Sequence, residues 1–149
     1  MKSLGLLILR LIFGGLIAVH GYPKLFGGKD KQVPPDAERY LGAGFTQSVQ
    51  NGGLTNHIGL TKKLEMPAPE VLGTLSAGAE FFGGLALALG WNTRLATLLL
   101  RGNMGVAINK VHWKNGLINQ GGFENPLLFF AAVLALFFAG PGKIAIDRD

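Results

Sequence analysis

The chain contains no cysteine among its 149 residues. Disulfide exchange, iron–sulfur clusters, thiolate zinc sites and covalent c-type haem are therefore excluded as chemistry of this chain alone. Charged residues are also scarce, at 15% of the sequence, against about 25% in an average soluble domain. Hydrophobic residues make up 48%. This balance predicts an integral membrane protein rather than a soluble domain.

The formal net charge is +5, which in a soluble protein would suggest a nucleic-acid ligand. In this sequence the basic residues are spread over polar segments between apolar runs. Attraction to anionic lipid head groups is therefore favoured. We expect the lipid bilayer to be a partner of this chain, and we expect no nucleic acid.

Four apolar runs cover residues 4–22, 71–89, 95–113 and 123–140. Each approaches the length of about 20 helical residues that crosses the hydrocarbon core of a bilayer. The first run is interrupted by Arg10 and is followed by Tyr22, Pro23 and Lys24 rather than by a small-residue cleavage site. We therefore interpret it as a retained helix and not as a signal peptide. The sequence predicts an all-α fold, an integral membrane four-helix bundle that forms a single domain over residues 1–149.

A long polar segment, residues 24–70, connects the first two predicted spans. It is too long for a plain connection, and residues 54–64 within it predict a short amphipathic helix at the interface. His57 in this segment is expected to be solvated. Four spans place both termini on the same side of the membrane. The number of basic residues favours a cytoplasmic long loop, whereas their density favours cytoplasmic termini, which is the orientation that we adopt.

Charged residues occur inside the predicted spans, where each costs about 2.5–3.5 kcal/mol. Arg10, Glu80 and Arg101 share helix faces with small residues, which suits the interior of a bundle. Counting residues from the span ends places them with Asn103 in one polar layer near the middle of the membrane. Two readings remain open for this layer. It is either a buried ion pair that fixes helix register, or a pocket that binds a ligand head group or relays protons.

A second polar layer is predicted near the membrane face on the side of the long segment, with His20, Lys24 and His112. The alternatives for the histidines are interfacial hydrogen bonding, a quinone or proton site, and haem b ligation by His20 and His112. Haem is disfavoured because glycine-lined contacts leave a narrow slot. No metal site is predicted, since the sequence has no pair of histidines at a ligand spacing such as HxxxH.

Short motifs along the chain, in their order and spacing, resemble the DoxX family of small integral membrane proteins. The motifs are Leu9-Arg10-Leu11, His20-Gly21, Lys24-Leu25-Phe26-Gly27, Ala79-Glu80, Gly83-Gly84, Thr93-Arg94-Leu95-Ala96, His112, Gly122-Phe123-Glu124 and Gly140-Pro141-Gly142. The resemblance covers nearly the whole chain except the region from about residue 29 to residue 53.

The resemblance implies a multi-pass protein of the prokaryotic plasma membrane that takes part in redox metabolism. One branch of the family is the small subunit of a thiosulfate:quinone oxidoreductase. No cofactor is evident from the sequence itself, and the resemblance points to quinone as the candidate. Other membrane protein subunits are expected as partners, and the family's polar positions carry over to Arg10, His20, Lys24, Glu80 and His112. As part of an enzyme, the chain would be a subunit without a metal in a quinone-dependent oxidoreductase. The alternative is a non-catalytic structural or accessory subunit of a larger membrane complex.

Overall fold

The computed structural model describes residues 1–147, and over that range the chain has seven helices and no strand. The helices are α1 (Lys2–Phe26), α2 (Pro35–Leu41), α3 (Ala43–Gln50), α4 (Leu54–Lys63), α5 (Pro69–Leu89), α6 (Thr93–Val106) and α7 (Glu124–Ala139). Helix α5 contains a π-helical segment, Ala79–Gly83, and α6 continues into a second one, Ala107–His112. The all-α prediction is confirmed for these residues.

Two helices of the described chain, α1 and α5, are long and apolar enough to cross a membrane. Helix α1 has 25 residues, which at 1.5 Å per residue gives a length of about 38 Å. Helix α7 is apolar but has 16 residues, a length of about 24 Å, shorter than the hydrocarbon core of about 30 Å. By length and composition, two of the four predicted spans are therefore helices that could cross a membrane.

The polar segment between α1 and α5 contains more helix than the sequence indicated. The predicted helix over residues 54–64 is confirmed as α4, but α2 and α3 were not predicted. Helix α2 begins with Pro35 in its first turn and carries Asp36 and Glu38 there. Proline and acidic residues are both favoured at a helix N-terminus. Pro35, with Pro34 at the cap position before it, therefore begins this helix.

The described chain divides into two compact units. The terminal unit consists of Met1–Ala18 together with the described residues from Phe82 onwards. Its apolar core includes Ile17, Leu87, Leu100, Val133 and Leu136, and α6 packs against both α7 and the end of α5. In this unit a Cβ added to Gly14 would lie 2.6 Å from the backbone nitrogen of Ala88, so α1 and α5 are in backbone contact.

The central unit is Val19–Phe81. Here α4 packs against the first half of α5, and the Thr61 hydroxyl donates a hydrogen bond to the Pro69 carbonyl at 3.0 Å. The residues after α3 bind the end of α1, because the Gly53 amide donates to the Pro23 carbonyl at 2.8 Å. Four aromatic rings contact one another in this unit, those of Tyr22, Phe26, Phe45 and Phe81.

Candidate functional site

The seven residues singled out in the sequence are divided between the two units. His20, Lys24 and Glu80 belong to the central unit, and Arg10, Arg101, Asn103 and His112 belong to the terminal unit. Each unit has its own set of polar contacts, and these are described separately below.

An ion pair between Lys24 and Glu80 is the principal polar contact of the central unit. The Lys24 Nζ atom lies 2.6 Å from Oε1 and 2.5 Å from Oε2 of Glu80. The Glu80 side chain is 5% exposed, whereas that of Lys24 is 33% exposed. Charge-assisted hydrogen bonds of this kind are stronger than neutral ones. The pair therefore joins the last turn of α1 to the middle of α5 with one partner buried and the other reaching the surface.

Local backbone structure explains why the pair forms at this place. Gly21 lies one turn before Lys24, and a Cβ added to Gly21 would be 2.8 Å from the carbonyl carbon of Glu80. The absence of a side chain thus lets the two helices approach closely beside the pair. Glu80 lies in the π-helical segment of α5, and such segments are rare and occur frequently at functional sites.

His57 is a third ionisable residue of the central unit that the sequence analysis did not include in the site. It is half-buried rather than solvated, and its Nε2 atom lies 3.2 Å from the hydroxyl of Ser76 on α5. Burial lowers the pKa of His57, the Lys24 ammonium lowers this pKa further, and the Glu80 carboxylate opposes both effects. One feature of the sequence could have indicated that His57 is not solvated. His57 lies on the same side of α4 as Ile58 and Thr61, and Thr61 is buried.

His20, the remaining central-unit residue of the predicted site, is exposed on α1. Its exposure contrasts with the buried carboxylate of Glu80 in the same unit. Of the three predicted site residues in this unit, Glu80 is therefore buried and His20 is not.

Arg10 is the fully buried cation of the terminal unit, with 0% of its surface exposed. Its Nη2 atom donates a hydrogen bond to the Ile144 carbonyl, and its Nη1 atom lies 3.5 Å from the Ala88 carbonyl. Among the described residues, its Nε atom has no hydrogen-bond partner. Carbonyl groups at a helix C-terminus carry partial negative charge. Arg10 therefore connects α1 to the end of α5 and to the C-terminal segment.

Asp147 extends this connection to the start of α6. Its carboxylate accepts hydrogen bonds from the backbone amides of Asn92 at 2.8 Å and Thr93 at 2.7 Å. Its own amide donates to the Gly90 carbonyl at 2.7 Å. The hydrogen bond from Thr93 is the main cause that lowers the pKa of Asp147. The side chain thus satisfies amides at a helix start, which otherwise lack partners, although it lies 54 residues away in sequence.

The other polar residues of the terminal unit have separate contacts. The Arg101 guanidinium carbon lies 5.3 Å from the centroid of the Phe137 ring, which is the geometry of a cation–π contact. His112 Nδ1 lies 2.7 Å from the Gly121 carbonyl, so this nitrogen carries the proton and donates. Asn103 is half-buried on α6. Within residues 1–147, no three acidic or histidine side chains are grouped to hold a metal ion.

Comparison with known proteins identifies one family. A family model described as DoxX matches residues 5–113, which includes Arg10, Lys24, His57, Glu80 and Arg101. No similar curated protein and no similar solved structure was found.

Proposed function

Because this chain belongs to the DoxX family and is a membrane protein of that type, we propose that it is the small subunit of a quinone-linked membrane redox system resembling a thiosulfate:quinone oxidoreductase. In this proposal α6 and α7 cross the membrane with α1 and α5. The chain is then a multi-pass four-helix bundle of a prokaryotic plasma membrane with cytoplasmic termini. The electrons that reduce the quinone come from a partner protein.

The observation that carries the proposal is the Lys24–Glu80 pair on two membrane-capable helices. Ionisable residues within membrane helices are costly and commonly mark ligand or proton pathways. The Lys24 ammonium has three N–H donors, and two of its contacts are with the Glu80 carboxylate. A third N–H remains to bind a quinone carbonyl. The carboxylate next to it can exchange the protons that quinone reduction consumes.

The aromatic side chains of the central unit support a flat ring as the ligand. Tyr22 and Phe81 are close to Lys24 and Glu80 in sequence, and their ring centroids lie 6.0 Å apart. The rings of Phe26 and Phe81 lie 5.1 Å apart in an edge-to-face arrangement. Aromatic rings prefer offset or edge-to-face contacts with other rings at such separations. These side chains would hold the quinone ring while Lys24 binds its oxygen.

Quinone affinity tests the proposal directly. The full chain in lipid nanodiscs is titrated with a short-chain quinone, and binding is measured by calorimetry. A hydrogen bond to a charged group contributes about 1.5–3 kcal/mol, so Lys24→Met is expected to weaken binding at least about tenfold. The matched control is Lys62→Met, because Lys62 pairs with Glu70 at 2.8 Å on the surface of the same unit. Equal affinity in the Lys24→Met and unaltered proteins would refute the proposal.

The same titration tests the two other donors proposed from the sequence. His20→Ala and Arg101→Ala remove an exposed imidazole and a guanidinium that contacts Phe137. A loss of affinity in His20→Ala would add His20 to the site of the central unit, and a loss in Arg101→Ala would indicate that the terminal unit also affects quinone binding. Unchanged affinity in both would confine the head-group contact to the ion pair.

A structural or accessory subunit of a larger membrane complex is the second candidate function. The observation that favours it is that Glu80 and Lys24 already bind each other, and a buried pair of this kind can serve to fix helix register. Purification in mild detergent separates the two candidates. A stable monomer without partners that binds quinone contradicts the accessory role. A complex that binds no quinone, and that dissociates in the double variant Lys24→Met/Glu80→Leu, supports it.

A further inference from the structure

His57 is held against the membrane-capable helix α5 by the packing of α4. The Thr61 hydroxyl bonds to the Pro69 carbonyl, and a Cβ added to Gly73 would lie only 3.2 Å from the Cα of Ile58. The two helix backbones are therefore close together on either side of His57. Its imidazole is positioned by a helix and not by a loose connection.

Ser76 links this imidazole to the turn that carries Glu80. The His57 Nε2 atom lies 3.2 Å from the Ser76 hydroxyl, and a hydroxyl can donate and accept a hydrogen bond at the same time. Ser76 lies four residues before Glu80 on α5, about one helical turn, and the Glu80 carboxylate is close enough to His57 to raise its pKa. A proton on His57 thus has a short route along α5 to the carboxylate.

The other side of α4 is open to solvent, since Thr55 and Asn56 next to His57 are exposed. His57 also senses the charges of the ion pair, because Lys24 on α1 lowers its pKa and Glu80 on α5 raises it. Burial keeps this pKa below its ordinary value. A lowered pKa favours release of the proton from the imidazolium, as a proton donor requires.

We infer that His57 and Ser76 form a proton-transfer path from water to the Lys24–Glu80 pair, an inference that rests on the proposed quinone function. With a quinone bound, its reduction would take two electrons from the partner protein and two protons. The Ser76 hydroxyl passes a proton to the Glu80 carboxylate as it receives one from the His57 imidazolium. Glu80 would give that proton to the quinone oxygen and return to the carboxylate form that pairs with Lys24. Neutral His57 takes a proton from water, and the second proton follows the same route.

Infrared spectroscopy after a rapid drop in pH tests the path without requiring turnover. The full chain in nanodiscs is followed at the carbonyl stretch of a protonated carboxylic acid, and the band that disappears in Glu80→Gln is assigned to Glu80. The variants His57→Gln and Ser76→Ala are each expected to slow the appearance of this band at least about tenfold, in line with the usual contribution of a positioned proton donor. Ser48→Ala is the control, because Ser48 is exposed and its hydroxyl donates to the Gly44 carbonyl within α3.

The outcomes separate this inference from the proposed function. Unchanged protonation rates in both His57→Gln and Ser76→Ala overturn the path, even where quinone binds through Lys24. Slowing in both variants supports the path, and if the same protein fails to bind quinone then the proposed function alone is refuted. Circular dichroism checks folding, and if His57→Gln does not fold then the rate measured in Ser76→Ala decides.

Discussion

The backbone contact between α1 and α5 in the terminal unit makes a quantitative prediction for Gly14→Ala. A Cβ at this position would lie 2.6 Å from the Ala88 nitrogen and 2.7 Å from the Gly84 oxygen. Ordinary contacts between heavy atoms lie at about 3.5–4.0 Å. Both obstructing atoms belong to the backbone, so no side chain can rotate away and the helices must separate by about 1 Å. Overpacking of this kind costs about 1–3 kcal/mol.

Gly15 is the matched control, because a Cβ added to it would meet nothing within 4 Å. Both substitutions replace glycine by alanine within α1, and each gains about 1 kcal/mol of helix propensity. That gain cancels when the two variants are compared. Gly14→Ala is therefore expected to be less stable than Gly15→Ala by about 1–3 kcal/mol, and Gly15→Ala is expected to be at least as stable as the unaltered protein.

Reversible unfolding in mixed micelles measures this difference. The full chain is titrated with a denaturing detergent, and the loss of helix is followed by circular dichroism for both variants. Equal free energies of unfolding for Gly14→Ala and Gly15→Ala would refute the reasoning. Such a result would mean that the two helices are not in backbone contact at Gly14.

Three further predictions concern the loop contacts and pH. Asp147→Asn is expected to destabilise the protein at neutral pH because it weakens the cap on α6, and by only about 0.5–1 kcal/mol because solvent screens a partly exposed cap. The folded pKa of Asp147 is lowered, so the difference between the two proteins should disappear in acid, where Asp147 becomes protonated. Unfolding titrations across pH measure this difference. Gly90→Ala is expected to cost about 1–3 kcal/mol in the same assay, because Gly90 has φ of 68° and a Cβ there would meet the Arg10 guanidinium. Since the pKa of His57 is lowered by folding, protons bind the unfolded state more tightly, so stability should fall as pH drops below about 6.5, and His57→Gln should remove that part of the pH dependence.

The membrane-capable helices and their contact faces could be predicted because the signals are local. Apolar runs and residue spacing indicated α1 and α5, and the faces that carry Arg10 and Glu80 were expected to face the interior of a bundle. In the structure those faces supply the contacts of Gly14 with Gly84 and of Gly21 with Glu80. A helical period relates residues within one or two turns, so sequence alone gives these faces well.

The C-terminal contacts could not be predicted, since their partners are far apart in sequence. Arg10 bonds to the Ile144 carbonyl, 134 residues away, and Asp147 caps α6 from beyond the last helix. Backbone carbonyls and amides occur at every residue. No residue type therefore marks the carbonyl that a buried arginine binds or the amides that a distant aspartate accepts.

Within the central unit Glu80 pairs with Lys24, a residue that depth counting had assigned to a different polar layer. Counting from the ends of the apolar runs placed Glu80 with Arg10 and Arg101, and placed Lys24 at the membrane face. Helix α1 continues to Phe26, so Lys24 is still helical, and the π-helical segment at Ala79–Gly83 interrupts the regular spacing of α5. Depth counts assume uniform helices that end with the apolar run. They are unreliable wherever a helix extends into a polar segment.

The chemistry of the Lys24–Glu80 pair gives a reason to look beyond stability for its role. Replacing a buried ion pair by apolar side chains of similar volume is often neutral or stabilising, because removing two charges from water costs about as much as their attraction returns. Here Glu80 is almost fully buried while Lys24 stays one-third exposed. Partial exposure lowers the cost of removing the lysine charge from water, and it also leaves the ammonium accessible to a ligand beside the buried carboxylate. The proposed quinone site would use this accessible donor beside the buried carboxylate.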